Sequence, residues 1–447
     1  MTKLEASKYY VQTWGCQMNE RDSEIISGML DEAGMESAEA VEKTDVMVLN
    51  TCCVRDKAEQ KVYARIGELV RLKKSKPDLV IVVCGCMVQQ KGVPEHIANR
   101  FPQVNLILGT HNLYRLPQLL QTAGSKGVLI EVLEDKPEDF SDRPILPQKS
   151  DLKAKVNISF GCNNFCSYCI VPYVRGREVS RKPEAIVAEI ANLASKGCKE
   201  VLLLGQNVNS YGKDNDNFPD FSDLLLQVAE IEGLERIRFM TSHPKDFSDK
   251  LIHTVASNAK LCNHVHLPFQ AGSNKVLKAM NRGYSREAYL NLAEKIKSNL
   301  PGVSLTTDII VGFPGETEED FRDTLDLIRQ VRFDSAYTFM YSPRRGTKAA
   351  TLGDELTLEI KKERLDRLMA VQNEIGLQLN LEQVGQKVKI LIDTCSKGRR
   401  GGLVYSGRTS TNKLVVLEEP GEEELMGLFR MVEIIEAKTW SLKGKLI

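Results

Sequence analysis

The sequence predicts an α/β protein in three parts. These are an N-terminal doubly wound, Rossmann-like unit, a central partial (βα)6 barrel of TIM-like design, and a small C-terminal antiparallel β-barrel. Three observations lead there. Apolar runs alternate with helical patterns over about the first 120 residues and again from Lys153 to about Tyr341; such alternation buries parallel strands under helices. A charged, Pro-rich stretch, EVLEDKPEDFSDRPILPQKS, separates the two series and reads as a linker. After residue 382 the pattern changes to short strands with Gly-rich turns, the habit of a small barrel.

Taken in order, residues 8–14 read as a strand, followed by a helix from about Asp22. Strands at 46–50, 79–83 and 105–109 follow, with a helix at 57–74. The second series has strand candidates at 201–204, 237–240, 264–267, 304–310 and 335–340, and a charged helix at 356–381. The final strands are expected at 388–392, 403–406, 414–417 and 429–437. The corresponding parts are 1–124, 151–382 and 383–447, with 125–150 between them.

Composition narrows the function classes. The 447 residues exceed one ordinary core, and 42% hydrophobic with 27% charged residues describes a soluble globular chain. Lys+Arg and Asp+Glu are both 60, so any nucleic-acid contact must come from a local patch. The opening MTKLEASKYY lacks a signal-peptide apolar run, and the apolar stretch at 79–83 is too short to cross a bilayer. Eleven cysteines without an export signal point to the reducing cytoplasm. There, clustered thiols more often bind metal than form disulfides.

The strongest motif is Gly161-Cys162-Asn163-Asn164-Phe165-Cys166-Ser167-Tyr168-Cys169, with spacing C-x3-C-x2-C after an apolar strand. A [4Fe–4S] cluster takes four ligands, so three local thiolates leave one iron open for a reactant. A structural zinc site is the plain alternative. It prefers four protein ligands, and no fourth Cys or His lies within sequence reach. A second set is more dispersed. Cys16 in WGCQMNERDSE, Cys52 in LNTCCVRDKAEQK and Cys86 in VVCGCMVQQ each follow a predicted strand. In a doubly wound sheet those strand ends share one edge. A small buried hydrophobe is the ordinary role of any one such cysteine. Cys84 reads as core, and Cys53 leaves open which neighbour belongs to the set. Cys198, Cys262 and Cys395 read as structural.

The C-x3-C-x-Tyr-C motif before a partial barrel resembles the radical S-adenosylmethionine (SAM) superfamily. GCQMNERDSE, NTC-x-VRDKAEQK and GCMVQQ narrow the resemblance to its methylthiotransferase family. So do GCNNFCSYCIVPYVRGREVSR, LLLGQNVNSYG, RFMTSHPKDF, HVHLPFQAGSNKVLKAMNRGYSREAYL and DIIVGFPGETEEDF. The match spans nearly the whole chain. It implies two [4Fe–4S] clusters with SAM, held by Cys162, Cys166 and Cys169 (SAM side) and by Cys16, Cys52 and Cys86 (auxiliary). It also implies reductive cleavage of SAM to a 5′-deoxyadenosyl radical. LLGQNVNSYG favours the tRNA branch, in which N6-dimethylallyladenosine next to the anticodon gains a 2-methylthio group. Arg345 departs from the family's usual proline. The implied partners are the tRNA anticodon stem-loop, an electron donor such as a flavodoxin or ferredoxin, and iron–sulfur carrier proteins. No membrane partner is implied, and the chain is expected to be a monomer.

Further candidates lie at predicted strand ends, where barrel sites collect ligands. For SAM these are Gln206, Asn207, Ser242, Gln270, Ser273, Gly312, Gly315 and Glu316, and the resemblance adds Tyr168, between the last two cysteines of the motif, beside the SAM adenine. Each has a plain structural alternative, such as a tight turn or a core tyrosine. His264 and His266 read equally well as satisfied core residues. Arg175, Arg177 and Arg181 could grip RNA phosphates, as could Lys397, Arg399, Arg400 and Arg408 in the basic half of the last part. That part resembles the TRAM domain, an RNA-binding module. Rival readings are the same chemistry on threonylcarbamoyladenosine or a ribosomal protein, a single-cluster radical SAM methyltransferase, and a non-catalytic iron–sulfur RNA-binding protein.

Overall fold

The computed structural model describes residues 7–53, 56–123, 127–134, 152–353, 355–397, 402–418 and 424–447. Arg399, Arg400 and most of the expected linker lie outside these residues.

The first part is a six-stranded, wholly parallel sheet. Its strands are β1 (Lys8–Thr13), β2 (Glu36–Ser37), β3 (Val46–Thr51), β4 (Val80–Gly85), β5 (Leu106–Leu108) and β6 (Leu129–Glu131), in the order β2-β1-β3-β4-β5-β6. The central β3 and β4 are buried almost throughout, which explains their unbroken apolar runs. Two details differ from the sequence expectation. The helix after β1 spans Gln17–Glu32, with Cys16 at its cap position, so it starts ahead of Asp22. The sixth strand lies inside the stretch read as linker and pairs with β5.

The middle part is built from six parallel strands in two runs. β7 (Lys153–Asn157), β10 (Glu200–Leu204) and β11 (Arg236–Phe239) form one. β12 (His264–His266), β13 (Ser304–Val311) and β14 (Ser335–Met340) form the other. A single bridge, Ile237 to Leu261, leads from the first run toward the second. A short ribbon of β8 (Ser159–Phe160) and β9 (Val179–Ser180) flanks the cysteine loop. The main apolar core, including Val156, Leu203, Phe239, Phe269 and Phe333, fills the space between these strands and their helices.

The last part is a closed barrel of β15 (Lys387–Lys397), β16 (Leu403–Thr409), β17 (Leu414–Leu417), β18 (Phe429–Ala437) and β19 (Leu442–Leu446), in the order β15-β16-β17-β19-β18. One of its pairs, β17 with β19, is parallel, so the barrel is not antiparallel throughout. Buried arginines dock it on the middle part. Arg236 donates to the carbonyls of Lys389 and Arg408 at 2.8 and 2.7 Å, and Arg238 to those of Thr409 and Ser410 at 2.6 and 2.9 Å. Arg21 ties the first part to the middle part through Glu189 at 2.9 Å.

Candidate iron–sulfur and SAM site

Each cysteine of the first triplet lies just past the C-terminal end of a parallel strand. Cys16 is the residue before the helix Gln17–Glu32, Cys52 follows β3 and Cys86 follows β4. Two glycines let the three loops crowd together. At Gly15 (φ +134°) a Cβ would lie 2.9 Å from Cys52 Cβ. At Gly85 (φ +94°) it would lie 2.4 Å from Asn50 Oδ1 and 2.5 Å from the Thr51 carbonyl. No side chain fits there, and the left-handed backbone suits glycine.

Asn19 is the hub. Its Nδ2 donates to the carbonyls of Trp14 (3.0 Å) and Thr51 (2.8 Å). Its Oδ1 lies 3.7 Å from Cys86 Sγ and 4.0 Å from Cys16 Sγ. Asn50 supports it, donating to the Asn19 carbonyl at 2.8 Å and to Ser23 Oγ at 2.9 Å. Cys53 contacts Cys86. That contact lowers the Cys86 thiol below the ordinary thiol range against the effect of burial, with Arg175 assisting. The same contact and burial raise Cys53. Cys84 is a core residue of β4 with its thiol pushed up by burial.

The second triplet sits in the loop after β8. Asn164 presents its backbone N–H and Nδ2 to Cys162 Sγ, both at 3.5 Å. Arg282, buried, places Nη1 3.2 Å from Cys166 Sγ and 3.4 Å from the Tyr168 hydroxyl. Its Nη2 donates to the Pro268 carbonyl at 2.9 Å. Burial pushes the Cys169 thiol up to about 12, with Cys166 adding to the effect. The loop is docked by Ser167, which bonds the carbonyls of Met280 (2.9 Å) and Ala279 (2.8 Å). Asn281 donates to the Phe165 carbonyl at 3.0 Å.

Each triplet offers three thiol donors, the number that leaves one iron of a cubane open. Among the described residues no three Cys, His, Asp or Glu side chains converge on one point as an ion requires. A cubane instead takes one ligand at each separate iron. A guanidinium beside each triplet suits a ligand that brings thiolates together. Around the barrel mouth, buried Asn157, Ser159 and Ser242 have side-chain polar atoms with no protein partner, as does His243 Nε2. Buried polar atoms without partners are uncommon, and a polar ligand could satisfy them.

The other expected contacts divide. Tyr168 packs against the apolar cluster of Ala271, Met280, Phe313 and Tyr341. Gln206 turns toward Met18 of the first part, and Asn207 is engaged with Asp246 at 2.8 Å. Gln270 holds a left-handed backbone (φ +69°) at the strand end. Gly315 (φ +77°) has open space beside it. Several residues have other partners than the sequence suggested. Ser273 donates to Asp320 at 2.5 Å and serves the start of the helix Glu318–Val331. Glu316 is buried against Arg364 at 2.7 Å and accepts from the Gly312 N–H at 3.0 Å. Arg175 and Arg181 are buried and do not face solvent. Arg181 pairs with Glu189 at 2.8 Å, and Arg175 reaches into the first triplet. Arg177 remains exposed, stacked 4.5 Å over Phe165. Lys397 is exposed, and Arg408, half-buried, donates to the Asn412 carbonyl at 2.8 Å. His264 and His266 both bond Thr306 Oγ1, at 3.1 and 3.0 Å, as satisfied core residues.

Sequence reasoning missed Asn19, Asp22 and Arg282. It also missed a cavity of about 1230 Å³ that all three parts line, through Glu20, Lys155, Arg238, Tyr337, Arg408 and Trp440 among others. Tyr405, the one aromatic in the basic half, is buried in the small barrel's core, whereas Trp440 is 63% exposed.

Comparison with known proteins agrees with this geometry. Residues 156–328 match the Radical SAM superfamily, residues 8–109 the uncharacterized protein family UPF0004, and residues 381–447 the TRAM domain. The fold is like that of the radical SAM methyltransferase TsrM from Kitasatospora setae, with TM-score 0.56, 14% identity and 77% of each chain covered. It is also like the cobalamin-dependent radical SAM enzyme OxsB, with TM-score 0.53, 14% identity and coverage of 81% of this chain and 56% of that one. The class is therefore that of radical SAM enzymes. More specific relatives follow. The tRNA-2-methylthio-N(6)-dimethylallyladenosine synthase of Thermoanaerobacter pseudethanolicus is 51% identical over 98% of this chain and 92% of its own length. That of Moorella thermoacetica is 52% identical over 98% of both chains. This chain belongs to the family of tRNA-2-methylthio-N(6)-dimethylallyladenosine synthases.

Proposed function

We propose that the chain carries two [4Fe–4S] clusters and converts N6-dimethylallyladenosine next to the anticodon of tRNA to its 2-methylthio derivative. The carrying observation is the pair of separate thiol triplets on adjoining parts of one molecule, joined through Arg175. Cys162, Cys166 and Cys169 would hold the SAM-side cluster, and Cys16, Cys52 and Cys86 the auxiliary one. Bound clusters and SAM supply a radical able to take hydrogen from adenine C2, and the sulfur that replaces it. No side-chain acid or base can activate that C–H bond.

The protein's own residues do the holding and orienting. Asn164 and Arg282 orient the sulfurs of Cys162 and Cys166. Asn19 keeps Cys16 and Cys86 in register. Ser242 and Gln270 at the barrel mouth fit the polar parts of SAM, while Tyr168 offers an aromatic edge near the third thiol. Exposed Lys397 and Arg177, with half-buried Arg408, suit contacts to RNA phosphates. The parts at 1–124, 151–382 and 383–447 would act as cluster, barrel and RNA-binding units. β6 favours extending the first of them beyond 124. None of the eleven cysteines is in a disulfide, and no helix among the described residues is long and apolar enough to cross a membrane. A tRNA substrate and reduced thiols suit the cytoplasm, where a flavodoxin- or ferredoxin-type donor would supply electrons.

The test is anaerobic reaction of the reconstituted protein with isopentenylated tRNA, SAM and a reductant, read by nucleoside mass spectrometry. A 2-methylthio product is expected. SAM cleavage without that product would move the substrate to another adenosine or to a protein. Iron counting adds a second check. The intact chain should hold about eight irons, and the Cys16→Ala variant nearer four. Four in both would leave a single-cluster enzyme.

A further inference from the structure

We propose that Arg175 is a positioning residue for the auxiliary cluster, setting its reduction potential through the Cys86 sulfur and fixing it relative to the SAM-side triplet. The inference rests on the reading of Cys86 as a cluster ligand. Arg175 lies six residues after Cys169, yet its side chain belongs to the first part of the molecule. Its Nε lies 3.2 Å from Cys86 Sγ. Its Nη2 donates to Asn19 Oδ1 at 2.8 Å and pairs with Asp22 at 2.6 Å. Asn19 Oδ1 is also the atom shared by Cys16 and Cys86. One buried guanidinium therefore meets one sulfur of the triplet directly and touches the hub of the other.

The intervening backbone is rigidly held. Ile170 and Val174 pack in the same apolar cluster as Cys53, Cys86 and Met87. Thr110 Oγ1 donates to the Val174 carbonyl at 2.8 Å. The short helix Val171–Val174 is thus embedded in the first part, while Cys169, two residues before it, stands in the second triplet. Asp22 offsets much of the guanidinium's charge, but the Nε–H remains aimed at sulfur. Hydrogen bonds to cluster sulfurs and local charge are the protein's means of tuning reduction potential. Lysine cannot reproduce the fork, since its ammonium is a point charge without an Nε donor.

The experiment isolates the auxiliary site. In the full chain carrying Cys162→Ala, Cys166→Ala and Cys169→Ala, the protein is reconstituted anaerobically with iron and sulfide. Arg175→Gln and Arg175→Lys are compared with this parent by iron content, electron paramagnetic resonance and dye-mediated redox titration. Both variants should show a more negative midpoint potential and an altered reduced-state spectrum, Arg175→Lys shifting less. If Arg175→Gln takes up no iron, Arg175→Lys, which keeps a cation for Asp22, decides. The parent's potential and spectrum in every iron-loaded variant would overturn the proposal. Cys86→Ala in the same background separates the two readings. Full iron there with an unchanged spectrum removes Cys86 as a ligand, and the Arg175 proposal with it. Lost iron there, with Arg175 variants identical to the parent, sinks the Arg175 proposal alone.

Discussion

At Gly85 a single methyl group has no room. Its backbone is left-handed and a Cβ would meet Asn50 and the Thr51 backbone at 2.4–2.7 Å. Gly85→Ala should therefore destabilise the chain by about 1–3 kcal/mol and reduce iron uptake at the first triplet; denaturant midpoints and iron counts check both. His243 gives a pH-dependent expectation. Burial, with Arg282 and Lys245 nearby, lowers its pKa to about 2, so the folded protein keeps it neutral. The unfolded chain binds a proton below about pH 6.5. Stability should thus fall as pH drops below about 6.5, by up to about 1.4 kcal/mol per pH unit from this group. His243→Gln should flatten that slope in urea titrations between pH 7 and 5 (roughly the window of ordinary imidazole titration). Residues differ in how legible they are. The cysteines were readable because spacing and strand ends locate them. Arg175 and Arg181 were misread because arginines are mostly exposed, and the pattern announces neither that Asp22, far away in sequence, pairs with Arg175 nor that Glu189 on the following helix pairs with Arg181.

The turn at 312–316 is locked to the helix Leu358–Leu381 by one buried pair, Glu316 with Arg364. Arg364→Met should cost about 3 kcal/mol, because Glu316 is left buried and uncompensated. Adding Glu316→Gln should recover part of the loss, a comparison that thermal or urea unfolding of the two variants reads directly. Elements were legible where periodicity is strong. β3, β4, β13 and β14 fall within a residue or two of expectation. The start of the helix at Gln17 was hidden because Cys16 is not a favoured cap and makes no side-chain cap bond. β6 escaped because it is three residues long amid charges. β19 escaped because LKGKL lacks an apolar run. Ser273 and Glu316 looked like ligand groups because the capping box of Thr317 and Asp320 was weighed only as a turn.

Across the whole molecule the charges balance, so RNA contact depends on local cations. Lys397→Ala should weaken tRNA binding modestly and lower the slope of log affinity against log salt by roughly 0.7–0.9, while leaving iron content unchanged. Filter binding at several salt concentrations measures it. The three-part order was legible because a charged, Pro-rich stretch separates two alternating series and the last part changes to short strands. The joins were not, since they rest on buried arginines contacting distant segments.

The join between the middle part and the small barrel has an evolutionary corollary. Arg236 and Arg238 grasp main-chain carbonyls of β15, β16 and the turn after it. Peptide oxygens persist whatever side chains surround them. Substitutions scattered over the outer surface of the terminal module can therefore accumulate without loosening its seat.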